Sequence, residues 1–196
     1  MKNLGIVMVV FAALAYFFWP DHGKRHPPGI LIPDAPSQTN IRGGTPWEKG
    51  GYRITPLAEF QLRARLLSKH RYWLDRESQL SPIDFLLGWG PMSDQKVLDQ
   101  LSLSQGSRWY EWQASQLPIP QREIEAHCAN MHMIPANPDI ERQLKQARIG
   151  DIVELKGYLI SVQAPDGWHW KSSLTRTDTG GSSCELVWVE EFEMEK

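Results

Sequence analysis

Residues 4–19 (LGIVMVVFAALAYFFW) form one unbroken apolar run with no polar position on any face, and no stretch after Pro20 resembles it. About 17–25 apolar residues can cross the hydrocarbon core of a bilayer. This run sits at the lower edge of that range, which predicts a nearly upright span with slight local thinning. Tyr16, Phe17, Phe18 and Trp19 stand where an interfacial aromatic belt would hold one end of the helix. The pattern then changes. Residues 20–51 carry Pro27-Pro28, Pro33, Pro36, Pro46, Gly43-Gly44 and Gly50-Gly51, interrupted by Ile30-Leu31-Ile32. That composition is partly stiff and partly flexible and reads as a linker. From Tyr52 onward the pattern is that of a folded domain, 52–196.

Inside that domain the period of two dominates. Phe60, Leu62, Ala64 and Leu66 alternate with Gln61, Arg63 and Arg65, which predicts a strand with one buried face. Residues 71–79 are polar and read as a loop, and 84–89 (DFLLGW) as a short strand or one helical turn. Val97, Leu98 and Leu101 have helical spacing, and 108–113 (RWYEWQ) reads as a strand with Trp109 and Trp112 on opposite faces. Asn137-Pro138-Asp139 is a helix start: Asn caps, Pro fits the first helical position, and Asp complements the positive helix end. Ile140, Leu144 and Ala147 mark the buried face of that helix. Gly150-Asp151 is a turn, and 152–162 a long strand with Gly157 where a barrel strand bends. Asp166-Gly167 signals a hairpin, 168–174 the returning strand, and 185–194 the last strand. The fold class is mainly β with α (α+β), a small barrel behind an N-terminal transmembrane helix.

A net charge of −2 over 196 residues advertises neither nucleic acid nor anionic lipid as a partner. The nine tryptophans suit a β domain packed with aromatics or an aromatic binding face. Ala13-Leu14-Ala15 offers a small-x-small cleavage site, so a secretory signal peptide competes with a signal anchor. The single Lys2 and the apolar residues beyond Ala15 favour the uncleaved anchor. Either way the domain is expected outside the cytoplasm: a bacterial inner-membrane protein, single-pass, with its C-terminal domain in the periplasm. In that oxidising compartment Cys128 and Cys184 are a candidate disulfide. Neither lies in a Cys-x-x-Cys spacing, so no metal or cofactor is expected.

The order helix, Gly-Asp turn, long strand with a central Gly, hairpin and closing strand resembles the second half of an oligonucleotide/oligosaccharide-binding (OB) barrel. Residues 147–159 (ARIGDIVELKGYL) carry that resemblance in their "Gly-Asp-x-Val-x-Leu-x-Gly" strand entry, a turn that SH3-like barrels also use. More broadly, 52–191 resembles uncharacterised membrane-anchored bacterial proteins with a segment like 168–185 (WHWKSSLTRTDTGGSSCE), for which no activity is established.

Two clusters could carry chemistry. On a strand, Trp168, Trp170, Ser172 and Leu174 share one face, with Arg176 and Asp178 continuing it. Stacking tryptophans with an arginine for an anion is how OB-type faces hold ligands. The plainer account is two packed tryptophans and an Arg–Asp pair closing a loop. In 127–135 (HCANMHMIP), Cys128, Asn130 and His132 share a face, and the order Asn-x-His-x-Ile-Pro-Ala is similar to that of the ββα-metal nucleases. There His is a general base and Asn orients it or a metal ligand. A serine nucleophile at Ser172 or Ser173, served by His132 and Asp178, lacks a Gly-x-Ser-x-Gly elbow. The expectation is therefore a binding or assembly module and not an enzyme, with another envelope protein as its partner. Its binding face would hold Trp168, Trp170, Arg176, Asp178 and His132. An envelope hydrolase or metal-dependent nuclease using Asn130 and His132 is the alternative.

Overall fold

The computed structural model describes residues 23–175 and 184–195. The expected anchor, 1–19, with its apolar run at 4–19, lies outside these residues, and among the described ones no helix is long and apolar enough to cross a membrane. The domain is mostly β with a few short helices, as the alternating pattern predicts. In chain order the strands are β1 (Ser37–Asn40), β2 (Trp47–Lys49), β3 (Tyr52–Arg71), β4 (Ile83–Gly88), β5 (Ser102–Gly106), β6 (Trp109–Gln113), β7 (Cys128–Pro135), β8 (Ile152–Gln163), β9 (His169–Lys171) and β10 (Glu185–Met194). The helices are α1 (Gln95–Leu98), α2 (Gln121–Ala126) and α3 (Pro138–Gln146).

Eight strands pair in the order β1-β3-β4-β7-β10-β8-β9, with β2 on β3, and β8 pairs again with β3. β5 and β6 form a separate hairpin. All contacts between neighbours are antiparallel except β7 with β10, which run parallel from Glu185↔Met131 to Val189↔Pro135. β3 pairs with both β8 and β4 because it is long and bends, with register shifts between Pro56 and Ala58 and between Leu66 and Ser68. Its first part pairs with β8 and its last part with β4.

The period of two sorts the apolar residues onto two sides of this curled sheet. Phe60, Leu62, Phe85, Met131, Met133, Leu155, Val187 and Phe192 form the inner core. Ile140, Leu144 and Ala147, the predicted face of α3, cover one end of it. Asn137 caps that helix as expected, its side chain accepting from the Asp139 and Ile140 amides. On the other side lie two smaller clusters, one with Ile54, Leu80, Ile134 and Leu186, and one with Leu86, Met92, Ile124 and Cys128.

Gly157 is needed where β8 crosses β10. A Cβ there would run into the Trp188 carbonyl oxygen, a backbone atom that cannot swing aside. Gly157→Ala is therefore expected to cost at least about 1–3 kcal/mol, read as a lower urea midpoint, with amides of Tyr158 and Trp188 losing exchange protection first.

The segment read as a linker is docked instead over residues 23–51. Ile32 is buried, Leu31 and Ile32 both donate backbone N–H groups to Ser93 Oγ, and the Gly90 amide donates to Ile32 O. β1 and β2 add to the edge of β3. The composition argument asked only what this segment could bury by itself. Its prolines flank two short edge strands instead of interrupting them, so the ladder with β3 satisfies its backbone.

Candidate functional site

On the outer side of β4 and β7 a strip of buried polar residues separates the two smaller apolar clusters. Asp84 stands opposite His132, and Leu86 opposite Asn130, in the β4–β7 register. Asp84 is 0 % exposed, His132 2 % and Asn130 3 %. Charges this deep need partners. The partner is Arg108, which enters from the tip of the β5–β6 hairpin.

Ser107 and Arg108 form that tip with φ of +50° and +67°. Positive φ is unfavourable for side chains with a Cβ, and here it aims Arg108 back at the sheet. Its guanidinium donates from Nε and Nη2 to the two Asp75 oxygens, both at 2.9 Å. Nη1 donates to Asp84 Oδ1 at 2.8 Å and to Ser81 O at 3.0 Å. The plane lies 3.7 Å above the Tyr72 ring, and Tyr72 Oη accepts the Arg108 amide at 2.9 Å. Burial works against the arginine's charge, but the bonds from Asp75 and the charges of Asp84 and Asp75 outweigh it and hold the guanidinium above its ordinary value. Burial would likewise raise Asp75, yet the Arg108 bonds prevail and its carboxyl lies below the usual range. Tyr72 is pushed up to about 12, by burial first and by the Asp84 charge second.

The expected tryptophans border this strip. Trp170 packs on the His132 ring at 4.8 Å and lies 5.8 Å from the Arg108 guanidinium. Trp168 follows at 6.1 Å. Arg76 lies 4.7 Å over Trp168 and 5.7 Å over Tyr52, and pairs with both oxygens of Asp166 at 2.8 and 3.0 Å. Trp168 and Trp170 are half-buried, whereas His169 and Lys171 point to solvent, as their alternation predicts. Loops 72–82 and 164–168 thus meet over one aromatic and arginine ribbon. Arg176 and Asp178 lie outside the described residues.

Beyond the ribbon the 72–82 loop holds Trp73 and Leu74 in water, 76 % and 100 % exposed, and Trp109 on the hairpin is 41 % exposed. The loop beneath them is rigidly tied. Asp75 Oδ1 accepts the Ser78 amide at 2.8 Å, and Ser78 Oγ donates to Asp75 O at 2.7 Å. None of Arg108, Asp75, Tyr72, Trp73 or Leu74 is singled out by the sequence reading. A Trp-Leu pair inside an otherwise polar loop was the available signal.

The side chains proposed for chemistry are engaged elsewhere. Asn130 donates to Arg108 O at 2.9 Å and accepts from Gln105 Nε2 at 2.6 Å. His132 Nδ1 lies 2.9 Å from Asp84 Oδ1, though without hydrogen-bond alignment, and Trp170 covers the ring. Ser172 Oγ donates to Ser173 O and accepts the Leu186 amide. No group of three or more His, Cys, Asp or Glu able to hold a metal occurs among the described residues.

No disulfide joins Cys128 and Cys184, which corrects the disulfide expectation. Glu185 pairs with Met131, so Cys184 falls beside Asn130, and Asn130 Nδ2 is 4.0 Å from its sulfur. Cys128 is two residues further along β7, a shift of roughly 7 Å along the strand on top of the inter-strand gap, too far for a bridge. Cys128 instead donates to Ile124 O at 3.1 Å, and burial pushes its thiol up to about 12. Compared with known proteins, the chain matches no family model, no curated protein and no solved structure.

Proposed function

We propose that this protein is a membrane-tethered, periplasmic binding or assembly module of OB-like architecture, docking another envelope protein through the 72–82 loop and the adjoining ribbon. The architecture is supported by pairings that run β3-β4-β7-β10-β8 and return to β3, by the parallel β7–β10 pair, and by α3 between β7 and β8. SH3-like barrels offer no reason for that helix or that parallel pair. In OB folds the face of the second and third strands and the loops after the first and fourth strands bind ligands in a partly open barrel. Here those are β4, β7, loop 72–82 and the segment following β8.

One observation carries the reading: Trp73 and Leu74 stand in water on a loop whose base is locked by Arg108. Exposed Trp beside Arg and Tyr on a preorganised loop is the make-up of a protein-binding hot spot. Nucleic acid fits less well, because Arg76 and Arg108 are already neutralised by Asp166, Asp75 and Asp84 and few cations remain for phosphates. The enzyme alternative is not carried forward, since Asn130 and His132 are spent on the strip.

Photo-cross-linking in native membranes tests the proposal. A photoreactive residue at Leu74 or Trp109 should trap one discrete protein, and the same residue at Glu154 on the far side should not. Cross-links of equal pattern at all three positions would refute the docking face. A reporter fusion at the C-terminus that is active only in the cytoplasm would refute the localisation.

A further inference from the structure

A second concavity lies away from the ribbon, between residues 23–25, the end of β3, α1 and the start of β5. It measures about 390 Å³, and its lining brings Arg65 and Arg25 together with Leu98, Leu101, Leu103 and Ile149. Arg65 is 3 % exposed. Nη1 donates to Ser93 O at 3.1 Å, and Nη2 to Lys24 O at 3.3 Å and to Gln95 Oε1. All three acceptors are neutral. Nε is buried with no hydrogen-bond partner, and no ion pair joins Arg65 to a carboxylate among the described residues.

The nearest acidic help is already committed. Gln95 passes a hydrogen bond on to Asp99 Oδ1 at 2.7 Å, and Asp99 is held by Arg25 at 2.7 and 2.8 Å. Asp94 accepts the Lys96 and Gly29 amides. The lining therefore carries two guanidinium groups and Lys24 against the single carboxylate of Asp99. A buried cation with no carboxylate bonded to it is costly. Burial accordingly draws Arg65 below its ordinary value, and the Arg25 charge adds to this, which Asp99 and Asp94 only partly offset.

We propose that this cavity binds an anionic amphiphile, its phosphate or carboxylate head between Arg65 and Arg25 and a length of aliphatic chain along Leu98, Leu101, Leu103 and Ile149. An anion completes the charge balance, and arginine is the residue suited to hold it. The half-buried leucines suit a hydrocarbon chain and offer a sugar or a free ion little. The amphiphile has two sources, a bilayer lipid or a soluble molecule. The lipid source rests on the membrane-tethered reading. Lys24 follows Trp19, the end of the apolar run, by a stretch that spans at most about 18 Å, which keeps the cavity within reach of a headgroup layer.

Native mass spectrometry of the full chain from non-ionic detergent tests both arms. One arm offers phosphatidylglycerol and phosphatidylcholine of equal chain length, and the other octyl phosphate against octyl glucoside. At least tenfold preferential retention of one anionic molecule is expected in an arm that supplies the right source. Retention of octyl phosphate alone assigns the site to a soluble amphiphile, and does so even if the topology reporter refutes the tether. Arg65→Gln should abolish the preference. Leu103→Trp, which fills the cavity and leaves both arginines, should abolish retention as well, and it decides the matter should Arg65→Gln lose its cooperative melt. Equal retention of anionic and uncharged molecules in both arms, or unchanged retention in Leu103→Trp, would overturn the proposal.

Discussion

Arg108→Met should lower the stability of the domain by about 3–5 kcal/mol, the range for removing one partner of a buried ion pair. The substitution keeps most of the aliphatic stem and removes the charge. Asp84, with no exposed surface, then loses its Nη1 donor, and its Oδ2 already has no hydrogen-bond partner. Asp75 and the Ser81 carbonyl lose donors in the same step, as does the face of Tyr72 its cation. Against a total of 5–15 kcal/mol for an ordinary domain, that is a large fraction. A melting point about 10 °C lower is expected at this chain length, checked by urea titration with an unchanged slope. Asp75→Ala should cost far less, because that carboxylate is a third exposed and solvent already screens it. The double change Arg108→Met with Asp84→Asn should recover much of the loss, since the unpaired charge that then remains, on Asp75, is partly exposed and the fully buried one is gone. A single Arg108→Met variant as stable as the native chain would show that the strip carries no energetic weight.

The elements with a strong local signature were legible in the sequence. The pattern places β10 at its ends and α3 from its Asn cap and Pro138, and the buried parity of β3 follows from alternation alone. Those signals depend only on neighbours in the chain. What was lost depends on residues brought together from a distance. Asp84 reads as the start of a short apolar run and His132 as a candidate base or binding residue, and nothing local says that they stand opposite each other or that a hairpin turn delivers Arg108 to them. The strand reading of 108–113 even placed Arg108 inside an element, whereas it is the turn before one. The tryptophans at 168 and 170 were placed on one face correctly, but their partners Arg76 and Arg108 come from other loops. The prolines of 20–51 misled for the same reason. They describe what that segment lacks alone and say nothing of the edge of β3 waiting for it.

Trp73→Ala should cut the yield of the partner cross-link trapped from Trp109 about thirtyfold or more, and Leu74→Ser nearly as much, with the melting point unchanged. The magnitude follows from the role proposed for them: a hot-spot residue contributes about 2 kcal/mol or more, and each 1.4 kcal/mol is tenfold in affinity. Stability should not move, because both side chains already stand in water and removing them opens no cavity. Loop order should not move either, since it is held by Asp75, Ser78 and Arg108 and by neither exposed residue. That separation is what makes the pair informative. Arg108→Met is expected to weaken the same cross-link through a loosened loop, but only together with a fall in melting point. Trp109→Ala belongs to the same surface and should show a smaller loss, read by a photoreactive residue at Leu74, because less than half of its side-chain surface faces solvent. Should Trp73→Ala and Leu74→Ser both leave the cross-link at full yield, the loop is not the docking surface, and the half-buried ribbon of Trp168 and Trp170 must take its place.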